Sequence, residues 1–215
     1  MKIKLLGLFI LGLGFASCGS NQSEVKNEEK KVELAEEVCT FSYNDEVSVK
    51  WTAFKFTDKV GVGGTLDSVE VMTKGDFEQA SDMLEGLEFN IYTQSVNSSN
   101  PDRDTKITSF FFGSMEQGDV INGKVMSVSG NEREGSLSIS LTMNSEVVEQ
   151  QMKYFVEGSS VTINGQLDLL NWKAQGSIDA LNNVCKDLHT GEDGKSVLWT
   201  DVDIEVVAML AKNCK

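Results

Sequence analysis

The chain is short of positive charge, histidine, proline and long apolar runs, and each shortage closes off a class of protein. Lysine and arginine total 19 against 33 aspartates and glutamates, leaving a net charge of -14, and only Arg103 and Arg133 are arginines. Neutralising phosphates takes clustered Lys and Arg, so nucleic acid is not an expected partner. The single histidine, His189, has no G-x-S-x-G or other local nucleophile signature to serve, so catalysis is not expected. Around it, Asp187, Glu192 and Asp193 offer oxygen atoms without the spacing of a calcium loop. None of the four cysteines stands in a C-x-x-C pair, so neither a metal nor a cofactor is expected. His189 reads instead as a helix C-terminus meeting free carbonyls, with a turn at Gly191 and Gly194.

The longest apolar run is Leu5–Ala16, about a dozen residues where a membrane-spanning helix takes about 20. Lys2 and Lys4 precede it, and Ser17 stands directly before Cys18, which is the pattern of a signal peptide. Phe15-Ala16-Ser17-Cys18 resembles a bacterial lipobox, with Phe15 where Leu is usual. We therefore expect a signal peptide over 1–17, a lipid-modified Cys18, and localisation to the cell envelope on an inner- or outer-membrane anchor. Residues 18–38 are rich in Ser, Asn, Glu and Lys and free of aromatics, so a flexible tether is expected. The remaining 39–215 has the length of one domain.

Within that domain, apolar residues alternate with polar ones. Leu137, Ile139, Leu141 and Met143 interleave with serine and threonine, and Val202, Ile204 and Val206 with Asp201, Asp203 and Glu205. Such a period of two marks strands with one buried face. The gaps are too short for parallel crossovers, so the strands are expected to be antiparallel. Exposed edges would be a liability, which favours a closed barrel. Three segments carry helical spacing instead: Phe77, Ala80, Leu84 and Leu87; Asn100-Pro101 followed by Ile107, Phe110 and Phe111; and Ser177 followed by Ile178, Leu181, Cys185 and Leu188.

Several motifs then converge. Val49-Lys50-Trp51-Thr52-Ala53-Phe54-Lys55, Gly61-Val62-Gly63-Gly64-Thr65, Ser95-Val96-Asn97-Ser98 and Arg103-Asp104-Thr105-Lys106-Ile107 resemble the YceI-like proteins, as do Leu169-Leu170-Asn171-Trp172 and Asp187-Leu188-His189-Thr190-Gly191. The likeness extends to the lipoprotein branch of Bacteroidetes type. It implies an all-β fold: an extended, antiparallel, eight-stranded lipocalin-like barrel with short amphipathic helices, whose long cavity holds a polyisoprenoid. Many relatives carry a His after Arg-Asp and an Asp after paired Phe, where this chain has Lys106 and Gly113.

On that resemblance, the expected ligand is an isoprenoid lipid or prenyl quinone, and the membrane is met through the lipid anchor. Trp51, Phe54, Phe56, Phe89, Leu141, Tyr154 and Trp172 are the candidate wall, with Ala53, Gly123 and Gly165 leaving room; the same residues could instead form a filled core. Phe110, Phe111 and Phe112 are candidates to line the tail, while Arg103 and Lys106 could meet a polar head or simply lie at the surface. A closed barrel of even strand number brings the outer ends of its first and last strands together. That predicts a Cys39–Cys214 disulfide and leaves Cys185, on an apolar helix stripe, as a buried free thiol.

Overall fold

The computed structural model describes residues 38–73 and 75–214. The expected signal peptide, lipidated Cys18 and all of the tether except Val38 lie outside the described residues. Ten strands follow one another: β1 (Cys39–Lys55), β2 (Val60–Leu66), β3 (Val69–Val71), β4 (Glu88–Tyr92), β5 (Val96–Asn97), β6 (Val120–Gly130), β7 (Glu134–Met143), β8 (Glu146–Glu157), β9 (Ser160–Asp168) and β10 (Leu198–Cys214). Every pairing is antiparallel.

The count of ten replaces the expected eight because two strands are each broken in two. Asp67 and Ser68 alone separate β2 from β3, and a 3₁₀ turn, Thr93–Ser95, separates β4 from β5. Yet β2 pairs with β5 through Leu66 and Val96, and β3 pairs with β4 through Val69 and Ile91. Across the break, Asp67 N donates to Ser95 O (3.1 Å) and Tyr92 N to Ser68 O (3.0 Å). Each pair of pieces therefore acts as one kinked strand. The hydrogen-bonded circuit runs from β1 through the two broken strands, then β6 to β10, and back to β1.

Cys39 and Cys214 face each other where β1 and β10 pair, and a disulfide joins them. Cys185 is the free, buried cysteine. At this end of the barrel the 3₁₀ helix Ala80–Leu84 forms a plug, with Met83 and Leu84 almost wholly buried. Tyr43 fastens it: its hydroxyl donates to Met83 O at 3.2 Å. Burial pushes that hydroxyl's pKa up, so it keeps its proton.

The opposite end is covered by helices. Asn100 caps α1 (Pro101–Lys106), accepting from Arg103 N at 3.1 Å with proline in the first turn, as the sequence predicts. The chain then widens into a π turn, Ile107–Phe111. α2 (Gln175–Val184) and α3 (Lys186–His189) return across the same end, and Ser114 Oγ bonds Ser177 Oγ at 2.9 Å to join the two coverings.

Candidate ligand cavity

The alternation of β1 and β10 decides which side chains reach the interior. Trp51 pairs with Ile204 and with Gly64, placing all three on the inner face. Glycine at 64 is required there, because a Cβ would come within 2.5 Å of the Trp51 ring and 2.6 Å of Asn97 O. The indole lies across the glycine and donates from Nε1 to Thr65 O at 3.2 Å. Nearer the plug, on β4, the Phe89 ring occupies the place where a side chain at Gly123 would stand, and the two residues are direct cross-strand partners.

Beneath the helical end lies an apolar cavity of about 120 Å³, bordered by Trp51, Ala53, Ile107, Phe111, Leu181 and Ile204. Its mouth is a second, more polar space of about 280 Å³ that shares Trp51, Ala53, Ile107 and Leu181 with it. Around that mouth stand Lys55, Arg103, Lys106 and His189, together with Asp102 and Asn100. Lys55 Nζ donates across to Leu188 O at 3.1 Å. Arg103 and Lys106 make no ion pair among the described residues. Asp104 is not Arg103's partner, because its carboxylate accepts from Ser98 N (2.8 Å) and Ser98 Oγ (2.6 Å). An apolar cavity thus opens into a mouth where two cations stand without an ion pair among the described residues, an arrangement suited to an amphiphile.

His189 lies at this mouth with Nδ1 2.9 Å from Asn182 Oδ1. The expectation that its ring meets helix carbonyls gives way to this side-chain partner, which α2 supplies across the break at Cys185. Desolvation first, then the Lys55 and Lys106 charges, push its pKa down to about 4, so the imidazole is neutral at pH 7. The turn at Gly191 and Gly194 does form, with Gly194 N donating to Gly191 O at 3.0 Å.

No protein-family model matches the chain, and no curated protein matches it either. Solved structures do. A polyisoprenoid-binding domain from Saccharophagus degradans superposes over 82% of this chain and 99% of its own, with a TM-score of 0.55 at 14% identity. BcnA of Burkholderia cenocepacia superposes over 79% and 99%, with a TM-score of 0.56 at 11% identity. The Campylobacter jejuni YCEI protein covers 75% of this chain and 89% of itself, with a TM-score of 0.53 at 16% identity. The fold is YceI-like. At such identities the likeness establishes the fold and leaves each residue's role to this chain's own geometry.

In this YceI-like barrel the candidate wall residues divide. Trp51, Phe111 and Phe112 border the 120 Å³ cavity, Phe54 and Arg103 the mouth, and Phe89 a further apolar space near the plug. Phe110 is turned away and is 41% exposed. The π turn is the cause: its wider spiral carries Ile107, Phe111 and Phe112 inward and leaves Phe110 outside, whereas a regular helix would have put Phe110 and Ile107 on one face. Phe56 also lies off the cavity, in the β1–β2 turn with φ of 63°, where its N donates to Val197 O and its ring lies 4.5 Å from Lys55 Nζ. Leu141, Tyr154 and Trp172 are packed into the core. Trp172 Nε1 donates to Leu141 O (3.1 Å) and Tyr154 OH to Asn131 O (2.7 Å), bonds that fix both rings in the barrel wall. Several lining residues, Leu181 and Leu198 among them, have no mark in the sequence that sets them apart from core. Leu181 and Leu198 border both the cavity and its mouth, and the helical spacing of Leu181 with Ile178 signals only that the first faces inward.

Proposed function

We propose that this protein binds the apolar tail of an amphiphile, an isoprenoid lipid or prenyl quinone, inside the barrel and holds or carries it in the cell envelope. The observation that carries the reading is the apolar cavity opening, through Trp51, Ala53, Ile107 and Leu181, into a mouth where Arg103 and Lys106 stand unpaired among the described residues. Burying roughly 300 Å² of tail would favour binding by about 7 kcal/mol before the costs of association. The two cations would meet a polar or anionic head at the surface. A solved structure of similar fold is described as a polyisoprenoid-binding domain, which supports the choice of ligand class. A lipid anchor at Cys18 would keep the barrel beside the membrane from which such a ligand comes.

Native mass spectrometry with lipid identification, on protein purified from its own host, tests the reading. An extractable amphiphile bound one to one is the expected result. Protein that carries none, and takes up neither added polyprenol nor added quinone, overturns it. A ligand-free interaction module would then be the better description.

A further inference from the structure

The barrel interior is divided along its length. The cavity under the helices and a second apolar space of about 70 Å³ behind the plug share no lining residue. The inner space is bounded by Tyr43, Met83, Leu84, Phe89, Ile163 and Leu210 among others. Between the two, on the wall built from β1, β2, β4 and β5, lies a collar of Val49, Leu66, Ile91 and Val96, which form a buried cluster of their own, each no more than 8% exposed. Val49 and Ile91 face the inner space, Leu66 and Val96 the outer one. The collar sits at the level where β2 gives way to β3 and β4 to β5. Trp51 to Lys55 of β1 accompanies the outer cavity and mouth for roughly 13 Å, and Val206 to Leu210 of β10, paired with Val49 to Tyr43 across a bulge in β1, accompanies the inner space for roughly 13 Å.

We infer that this collar selects ligands by tail length. A tail that stops at the collar is bound by the outer cavity alone. A longer one must push four close-packed apolar side chains aside, which is unfavourable until the tail is long enough to fill the inner space beyond. Affinity therefore climbs with length, stalls at the collar and climbs again. The inference rests on the cavity being a lipid site.

The experiment is a titration of delipidated, full-domain protein with farnesol, geranylgeraniol and octaprenol. In the wild type, farnesol and geranylgeraniol bind alike within about threefold, and octaprenol binds at least about tenfold tighter. Leu66→Ala widens the collar and brings geranylgeraniol about tenfold above farnesol. Ile91→Phe narrows it from the inner side and weakens octaprenol about tenfold while leaving farnesol, which stays in the outer cavity, unchanged. Each variant is first shown to melt cooperatively; if either does not, the wild-type series decides. A smooth rise with length in the wild type overturns the collar and leaves the lipid site standing. No binding at any length overturns the lipid site and the collar with it.

Discussion

β7 and β10 carry the same alternation of apolar and polar residues, yet their inward faces meet different surroundings. On β7, Leu137, Ile139, Leu141 and Met143 are all buried, at 8% exposure or less. On β10, Leu198, Val202, Ile204, Val206 and Ala208 also point inward, but each is only half-buried, although Ile139 and Met143 of β7 border the same two spaces. A period of two therefore specifies which side of a strand is apolar and says nothing about whether that side is packed. One wall of this barrel is the more filled and the other the more hollow. Ladder bonds run along both, and the Cys39–Cys214 bridge adds a covalent tie at the end of the hollow one.

The largest test of that division removes the bridge. Its sequence separation of 175 residues corresponds, by loop entropy, to about 5 kcal/mol of stability. Cys39→Ser with Cys214→Ser should lower the free energy of unfolding by that order, read by urea denaturation. A loss under about 1 kcal/mol would mean that the bridge adds little to holding the hollow wall closed.

A pair of tryptophan variants sharpens the comparison next. Trp172 is fully buried and bonded to Leu141 O in the filled wall, so Trp172→Ala should cost about 3–5 kcal/mol. Trp51 borders the cavity and is only half-buried, so Trp51→Ala should cost less than half as much in stability while releasing bound amphiphile. Equal losses in thermal and urea unfolding would erase the distinction between the two walls.

Much of the architecture was legible because it depends on period and chemistry. The strands around Leu137–Met143 and Val202–Val206, the Asn100–Pro101 cap and the Cys39–Cys214 pairing all follow from local pattern plus closure of a barrel. β8 was harder to see. Its outward positions include Val147, 66% exposed, and Phe155, 45% exposed, while Gln150 points inward opposite Ile139, so polarity does not alternate. The cavity was less legible still. Trp51 lies mid-strand in β1 and Trp172 ends a 3₁₀ turn, Leu169–Trp172, yet neither local pattern says that one borders a void and the other fills one; tertiary packing decides it. The π turn is a third case, since one widened turn reverses the inward and outward assignment of Phe110.

That reversal predicts an asymmetry between neighbours. Phe111→Asp would place a carboxylate against the apolar cavity, where desolvation opposes it, and should reduce bound amphiphile at least about tenfold. Phe110→Asp, at an outward position, should stay within about 0.5 kcal/mol of the wild type and retain the ligand. Both are read by lipid extraction from protein that still melts cooperatively. The reverse order would place the π turn in the wrong rotation about its axis.

The smallest expected effect concerns the mouth. His189 has its pKa pushed from 6.5 to about 4, first by desolvation and then by Lys55 and Lys106. Between those two values the unfolded chain binds the proton that the folded chain refuses, so folding stability falls as pH drops from about 6.5 to about 4 and is unaffected by this group above that window. Because part of the ring meets solvent, screening should limit the change to about 1 kcal/mol. Carboxylates titrate nearby in pH, so the readout is the difference between wild type and His189→Asn, followed by urea unfolding from pH 7 to pH 4. The wild type should lose more stability over that range than the variant. A ligand with an anionic head seated between Arg103 and Lys106 would bring a compensating charge to the mouth and raise the imidazole pKa, so ligand-loaded protein should show a shallower slope than delipidated protein. Equal slopes for wild type and His189→Asn would mean that folding does not lower the imidazole pKa, and equal slopes for loaded and delipidated wild type that His189 does not sense the head group.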